Sequence, residues 1–216
     1  AAEQGYAPAQ HDLGIMYCHG MGVDVNYKKA FEWYQKAAKQ GHAGAQYNLG
    51  SMYEDGQGVD VNYKKAIEWF EKAAKQGHAY AQCNLGAMYY NGHGVDVNYK
   101  KAIEWYEKAA KQDHALAQYS LGGIYHQGTG VDVNYKKAFE WFEKAAEQGH
   151  ATAHYNLGVM YRDGHGVDVN YKKAMERYEK AAEQGHAEAQ YNLGVMYHQG
   201  HGVDVNYKKA FEWWEK

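Results

Sequence analysis

The sequence predicts an all-α protein built as a single array of antiparallel helix pairs. The stretch GVDVNYKKA occurs six times without change, beginning at residues 22, 58, 94, 130, 166 and 202. Adjacent copies begin 36 residues apart, so six such periods account for all 216 residues. A period of this size is typical of solenoids and propellers, and the apolar spacing within each copy favours helices. We therefore predict one array over 1–216, with repeats at 5–40, 41–76, 77–112, 113–148, 149–184 and 185–216.

The first half of each repeat predicts a helix with one buried face. In the second repeat, Ala45, Leu49, Met52 and Tyr53 follow at spacings that place them on one side of a helix. Gly50 lies inside the same helix, where glycine costs roughly 1 kcal/mol relative to alanine. The same glycine recurs in the other repeats as Gly14, Gly86, Gly122, Gly158 and Gly194. A cost that is repeated in every copy predicts that the partner helix approaches closely at this point.

The boundaries of the second helix are also marked in the sequence. The segment EDGQG at 54–58 contains two glycines and is predicted to break the first helix. Asn62 is a suitable N-cap, because its side chain can accept a hydrogen bond from a free backbone N–H group. Gly77 is predicted to end the second helix. The expected unit is a pair of helices of roughly 14 residues, or about 20 Å, each.

The second helix is predicted to be amphipathic. Ala66, Phe70 and Ala73 form the apolar stripe that would pack against the first helix. On the other side, Glu68 and Lys72 are four residues apart, and we expect them to form an ion pair worth a few tenths of a kcal/mol.

Composition excludes several classes of function. The formal net charge is −3, with 23 basic and 26 acidic residues, so no basic surface for nucleic acid is expected. No apolar run approaches the roughly 18 residues of a membrane-spanning helix, and no signal peptide is evident. Cys18 and Cys83 occupy different repeat positions, so a disulfide is not expected and a reducing, cytoplasmic compartment is favoured.

The repeat resembles two related families. The segment AEAQYNLGVMY at 187–197 resembles the first helix of a tetratricopeptide repeat. The glycine-rich joint, the second helix of the type KKAFEWYQKAA and the 36-residue period resemble the Sel-one-like repeat (SLR), a relative with a longer loop. This resemblance covers all six copies and implies an α/α solenoid that coils as a right-handed superhelix, with the first helices on the inner wall. It also implies an adaptor or scaffold for other proteins.

Sequence variation among the copies is confined to one stripe of the first helix. Counted from the first glycine of each repeat, the variable positions are chiefly 4, 7, 8, 11, 14 and 15, which span about 120° of a helix. In tetratricopeptide relatives the matching stripe faces the ligand groove. From this stripe we predict a set of peptide-binding or protein-binding residues: Asn48, Tyr80, Asn84, Tyr90, Asn91, Leu116, Tyr119, His126, Gln127, Thr152, Tyr155, Asn156, Arg162, Asp163, Glu188, Tyr191, Asn192 and His198.

The chemistry of this stripe is typical of a recognition surface, because tyrosines offer contact area and amides offer adaptable hydrogen bonds. The small side chains in the middle of the stripe are Ser51, Ala87 and Gly123. The best anchor pocket is expected around them, bordered by Tyr80, Tyr90, Leu116 and Tyr119. Acidic residues outnumber Arg162 on the stripe, so a partner carrying Lys or Arg is favoured. The asparagines at position 8 would either bind an extended peptide backbone or bond to a neighbouring repeat, and both alternatives stay open.

Catalytic and metal chemistry find little support in the sequence. The histidines at position 2, one per repeat from His42 onward, are a full repeat apart, and we expect them to cap or pack at helix starts. We expect the joint histidines His93, His165 and His201 to be solvated. Arg177 replaces a tryptophan found in the other copies, and we expect its stem to cover apolar surface at a half-exposed seam. No catalytic residue, metal or cofactor is predicted.

These observations predict a non-enzymatic scaffold that binds a peptide or protein segment in a groove lined by the first helices. One alternative is a structural or consensus-designed array without a cognate ligand. A third is a β-lactamase-like hydrolase of the cysteine-rich branch that the resemblance includes, although this chain lacks the paired cysteines of that branch. Two interpretations of the chain ends stay open. The segment belongs to a longer array, or molecules associate end to end.

Overall fold

A computed structural model describes residues 1–216 as twelve α-helices joined by short loops, with no strand. The first helices of the six pairs are α1 (Ala7–His19), α3 (Ala43–Asp55), α5 (Ala79–Asn91), α7 (Ala115–Gln127), α9 (Ala151–Asp163) and α11 (Ala187–Gln199). The second helices are α2 (Tyr27–Lys39), α4 (Tyr63–Lys75), α6 (Tyr99–Ala110), α8 (Tyr135–Glu147), α10 (Tyr171–Glu183) and α12 (Tyr207–Trp214). This confirms the all-α fold class of helix pairs.

The chain divides into two compact units, Ala1–Gln112 and Asp113–Lys216, called here the N-terminal and C-terminal units. The N-terminal unit holds α1 to α6 and the C-terminal unit holds α7 to α12. Within each unit every helix packs against the next one along the chain. The prediction of one array with repeats at the stated bounds stays a prediction.

The close approach predicted at the helical glycine is confirmed. A Cβ atom placed on Gly50 would lie 2.5 Å from Cδ1 and Cε1 of Phe70, which has no exposed surface. The other five glycines face an aromatic ring in the same way: Gly14 faces Tyr34, Gly86 faces Tyr106, Gly122 faces Phe142, Gly158 faces Tyr178 and Gly194 faces Trp214. Glycine is therefore required where the aromatic ring of the second helix lies flat on the backbone of the first.

The invariant stretch forms the joint and the start of the second helix. Gly56 ends α3 in the left-handed conformation, with φ of 72°. The Oδ1 atom of Asn62 accepts the backbone N–H of Lys65 at 3.0 Å, so the predicted N-cap is confirmed. A Cβ on Gly58 would lie 2.5 Å from the backbone of Tyr27 in the preceding repeat. The joint thus fixes the contact between successive repeats, which gives its invariance a structural reason.

The ion pair predicted between Glu68 and Lys72 is wrong. The Lys72 ammonium group lies over the Trp69 ring instead, 3.9 Å from its centroid. The face of a tryptophan ring attracts a cation. The Trp69 ring is half-buried, whereas the Glu68 side chain is exposed. The same contact joins Lys36 to Trp33, Lys108 to Trp105, Lys144 to Trp141 and Lys216 to Trp213. Arg177, which stands in the tryptophan position, is half-buried, and its Nη2 atom lies 3.3 Å from Oε1 of Glu143.

A buried glutamine row, not predicted from the sequence, ties the helices together. The Nε2 atom of Gln40 donates to Oε1 of Gln10 at 2.8 Å. Equivalent bonds run from Gln76 to Gln46, from Gln112 to Gln82 and from Gln148 to Gln118. His154 takes this position in the fifth repeat, and there Gln184 donates to the backbone oxygen of Lys180 instead.

Candidate functional site

All of the residues predicted for the binding stripe keep some exposed surface, and none is buried. The exposed members are Tyr80, Asn91, Leu116, Gln127, Asp163, Glu188, Tyr191 and His198. The half-buried members are Asn48, Asn84, Tyr90, Tyr119, His126, Thr152, Tyr155, Asn156, Arg162 and Asn192. The steady positions of the same helices, such as Leu49 and Met52, are in the core.

In the N-terminal unit two stripe asparagines form hydrogen bonds with side chains of the preceding repeats. The Nδ2 atom of Asn48 lies 3.2 Å from Nε2 of His11 in the preceding repeat. The Nδ2 atom of Asn84 donates to Oε2 of Glu54 at 3.4 Å. Burial and the neighbouring Asp55 raise the pKa of Glu54, so this carboxylate is held in a partly desolvated place. These two amides therefore stabilise contacts between repeats.

Other stripe residues of this unit contact neighbouring aromatic rings or are exposed. Tyr90 packs edge-on against Tyr99, with ring centroids 5.4 Å apart, while Asn91 is exposed. Tyr80 is 60% exposed and lies beside Tyr47, at a centroid distance of 6.0 Å. The anchor pocket predicted in the middle of the stripe draws residues from both units and stays a prediction.

The C-terminal unit has two pockets lined by the stripe. The first, called here the phenylalanine pocket, encloses about 290 Å³ between the fourth and fifth repeats. Its lining consists of Tyr119, Gly123, His126, Gln127, Phe142, Asn156 and Val159. A Cβ atom on Gly123 would meet nothing within 4 Å, so this glycine leaves space as the sequence predicted.

The second, called here the tyrosine pocket, encloses about 310 Å³ between the fifth and sixth repeats. Its lining consists of Arg162, Asp163, Tyr171, Tyr178, Asn192, Val195, Met196, Gln199 and His201. Tyr178 has no exposed surface, and its hydroxyl group is buried without a hydrogen-bond partner. The stripe asparagines of the two pockets, Asn156 and Asn192, form no hydrogen bond with the protein.

Arg162 and Asp163 form a closed ion pair at the edge of the tyrosine pocket. The guanidinium donates from Nε to Oδ1 of Asp163 at 2.7 Å and from Nη2 to Oδ2 at 2.9 Å. This bond is the main cause that holds the pKa of Asp163 below its usual range. Because the two charges compensate each other, the pair adds polarity to the pocket without adding net charge.

The remaining predicted residues lie on the same first helices, α7, α9 and α11. Leu116 is 51% exposed, and Thr152 is half-buried. Tyr155 stacks on His186 at a centroid distance of 4.7 Å, and His186 Nδ1 lies 3.3 Å from Oε2 of Glu188. Tyr191 is 61% exposed. His198 lies edge-on to Tyr207 at 5.3 Å.

Four of the five histidines at position 2 are helix caps, as predicted, whereas His186 makes no side-chain cap bond. The Nδ1 atom of His150 accepts the backbone N–H of Ala153 at 3.3 Å, and His42, His78 and His114 make the same bond. Burial lowers the pKa of His150, which keeps the ring in the neutral form that this bond requires. The expectation of solvated joint histidines is wrong for His165. Its ring stacks on Tyr135 with centroids 4.3 Å apart, and its Nδ1 atom is buried.

Metal and thiol chemistry gain no support from the structure. No group of three His, Cys, Asp or Glu side chains is arranged to hold a metal ion. Cys18 and Cys83 are free thiols, and burial raises the pKa of Cys83 to about 12. No helix has both the length and the apolar character needed to cross a bilayer.

The sequence analysis missed the aromatic residues of the second helices that complete the two pockets, Phe142 and Tyr178. Their repeat position entered the sequence prediction only through Phe70, as part of the apolar stripe of a second helix. One signal could have found them. Their repeat position alternates between tyrosine and phenylalanine in the first five copies, although a purely structural contact would tolerate either ring.

Comparisons with known proteins agree on the fold. A family model described as the Sel1 repeat matches residues 7–42, 43–78, 79–114, 115–150, 151–186 and 187–216. A solved protective antigen of uropathogenic Escherichia coli, described as displaying an SLR fold, is 39% identical with a TM-score of 0.96. That match covers 99% of this chain and 46% of the antigen chain, so this chain spans less than half of that relative.

A Sel1 repeat protein from Oxalobacter formigenes is 36% identical with a TM-score of 0.87, and the match covers 98% of this chain and 85% of that one. A Sel1 repeat protein from Klebsiella pneumoniae is 26% identical with a TM-score of 0.57, covering 90% and 95%. Comparison with curated protein sequences gave no match.

Proposed function

The chain belongs to the Sel1 repeat family, and we propose that it is a non-enzymatic scaffold that binds a peptide or protein segment along the first-helix stripe of its C-terminal unit. Sel1 repeats are typical of protein-interaction scaffolds and are generally non-catalytic. The proposal goes further, because it assigns the binding to particular side chains.

One observation carries the proposal. Two neighbouring pockets of the C-terminal unit are lined by the stripe that varies among the copies, and each contains an asparagine with no protein hydrogen bond. A carboxamide offers both a donor and an acceptor to an extended main chain. The half-buried tyrosines beside these pockets, Tyr119 and Tyr155, add aromatic contact area at low entropic cost.

The charges of the stripe favour a partner that carries Lys or Arg beside the bound segment. Glu188 is exposed in the C-terminal unit, and Asp55 is exposed in the N-terminal unit. Arg162 is already paired with Asp163, so it offers little attraction to an acidic partner. Exposed carboxylates of this kind accelerate and orient association more than they strengthen it.

A nucleophilic thiol function is disfavoured by the state of the cysteines. Burial raises the pKa of both thiols, so the thiolate that such chemistry needs is suppressed near neutral pH. This supports a binding function over the hydrolase of the cysteine-rich branch.

The proposal is tested by selecting displayed random peptides on the immobilised chain and measuring the dissociation constant of a selected peptide. The variant with both Asn156→Ala and Asn192→Ala should bind at least about tenfold more weakly, since each lost amide removes up to two hydrogen bonds. Lys136→Ala, on an exposed part of α8, is the matched control and should bind as the wild type does. Failure to select any peptide, or equal binding by the double variant, would overturn the proposal.

A further inference from the structure

We propose that the tyrosine pocket receives the carboxamide of a glutamine or asparagine side chain from the bound segment. This rests on the proposed function and specifies what one of its pockets recognises. The phenylalanine pocket, one repeat earlier, serves as an internal comparison.

The buried hydroxyl of Tyr178 indicates a polar ligand. A hydroxyl without a partner in a desolvated place is costly, and this one lies in the lining of an open pocket. In the N-terminal unit the same two repeat positions hold Tyr34 and Asn48, and there the Asn48 amide interacts with the Tyr34 hydroxyl and lies 3.2 Å from Nε2 of His11. In the tyrosine pocket, neither the buried Tyr178 hydroxyl nor the half-buried Asn192 amide has a protein partner, so one group that enters the pocket could satisfy both.

The charges at the edge of the pocket favour a neutral ligand. Arg162 and Asp163 neutralise each other through two short hydrogen bonds, so the pocket offers no uncompensated charge from this pair. A carboxylate or an ammonium group entering it would be desolvated without a counter-ion, which is costly. A neutral group that both donates and accepts is the best complement to a hydroxyl and an amide, and a carboxamide is such a group.

The position of Tyr178 favours a side chain over a main chain. Tyr178 lines the tyrosine pocket but has no exposed surface, so a group meets its hydroxyl only by entering the pocket and displacing the side chains that cover it, which a protruding side chain can do and a main chain lying across the helices cannot. Val195 and Met196 contribute apolar surface to the same pocket. The methylene groups of glutamine can pack there while its amide meets Tyr178 and Asn192.

The phenylalanine pocket shares the architecture but lacks the hydroxyl. Phe142 stands where Tyr178 stands, and Asn156 stands where Asn192 stands. The repeat thus supplies a pocket of similar size whose recess is apolar. Phenylalanine also occupies this repeat position as Phe70, so Tyr178→Phe is a substitution that the fold already accommodates.

The test is a titration of the ¹⁵N-labelled chain with N-acetylglutamine amide, followed through the side-chain amide signals of Asn192 and Asn156. N-acetylglutamate amide and N-acetylmethionine amide are the matched probes. The glutamine probe should shift the Asn192 signal in a saturable way and bind about fivefold or more tightly than the other two, the effect of one or two hydrogen bonds. The Asn156 signal should respond less.

Tyr178→Phe should weaken the glutamine probe by about fivefold while leaving the methionine probe unchanged. The inference is overturned if the glutamate or methionine probe binds Asn192 as tightly as glutamine does, if Asn156 responds equally, if no probe shifts Asn192, or if Tyr178→Phe has no effect. Loss of the glutamine response with selected peptides still bound would remove this inference and keep the proposed function. If no peptide can be selected while the glutamine response is intact, the proposed function is removed and the inference about the tyrosine pocket is kept.

Discussion

The N-terminal and C-terminal units are built on the same helix frame but use the same stripe differently. In the N-terminal unit, Asn48 and Asn84 are bonded to His11 and Glu54 of the preceding repeats. In the C-terminal unit, Asn156 and Asn192 have no protein partner and line two pockets. An identical residue at an identical repeat position is thus structural in one unit and available in the other.

The difference comes from the side chains at other variable positions. Glu54 reaches the next asparagine in the N-terminal unit. At the same position of the fifth repeat, Arg162 instead donates hydrogen bonds to its neighbour Asp163, so Asn192 stays without a protein partner. The invariant residues therefore set the packing of the helices. A few variable residues decide whether the stripe asparagines are bonded within the protein or free to bind a ligand.

The largest expected effect tests whether the frame is the same in both units. Gly50→Ala and Gly158→Ala would each place a Cβ 2.5 Å from an aromatic ring, so each should lower the free energy of unfolding by roughly 1–3 kcal/mol. Urea titration measures both. Gly123→Ala is the control, because its Cβ would meet nothing within 4 Å and alanine favours the helix by up to about 1 kcal/mol. A large cost in one unit alone would show that the frames differ.

The second effect concerns acid sensitivity in the C-terminal unit. Burial, with Arg177 and Lys180 nearby, lowers the pKa of His154 to about 4. The unfolded chain binds that proton near pH 6.5, so the folded state loses stability as pH falls from about 6.5 towards 4. His154→Gln restores the residue of the other copies. It should raise the free energy of unfolding by about 1–2 kcal/mol at pH 5, and by much less at pH 7.5, where the histidine is neutral in both the folded and the unfolded chain. Equal gains at both pH values would contradict this origin.

The third effect is a direct contrast between the asparagines. Asn84→Ala removes a hydrogen bond to the half-buried Glu54 and should cost about 1 kcal/mol. Asn156→Ala removes no hydrogen bond to the protein and should leave stability unchanged or raise it by a few tenths of a kcal/mol through helix propensity. Thermal or urea unfolding of the two variants provides the comparison. Similar losses would mean that Asn156 is structural as well.

The smallest effect concerns the buried hydroxyls. Tyr34→Phe removes a hydroxyl that interacts with the Asn48 amide and should cost about 0.5–1.5 kcal/mol. Tyr178→Phe removes an unpartnered hydroxyl and should be neutral or slightly stabilising. A loss in the second variant as large as in the first, measured by urea unfolding, would mean that Tyr178 already has a partner.

Much of the fold could be predicted because its determinants repeat. Gly50 against Phe70, and Asn62 as an N-cap, follow from local rules that apply in every copy. The glutamine bond from Gln40 to Gln10 could not be predicted, since it joins polar residues 30 positions apart that a sequence pattern assigns to the surface. The Glu68–Lys72 pair was wrong because Trp69 competes for the same ammonium group.

The candidate site was predicted only in part for a similar reason. Variation among the copies located Asn156, Arg162 and Asn192, because these side chains lie on the accessible stripe. It did not locate Tyr178, which lies on a different helix and has no exposed surface. Whether an asparagine is free depends on its neighbours across repeats, and that information is three-dimensional.

The most direct test of the difference between the units is an NMR titration of the ¹⁵N-labelled chain with a peptide selected on it. The four stripe asparagines, Asn48, Asn84, Asn156 and Asn192, report on both units through their side-chain amide signals. We predict that Asn156 and Asn192 shift with the occupancy of the peptide while Asn48 and Asn84 stay in place. Shifts confined to Asn48 and Asn84, or a peptide that binds without moving any of the four, would contradict the account.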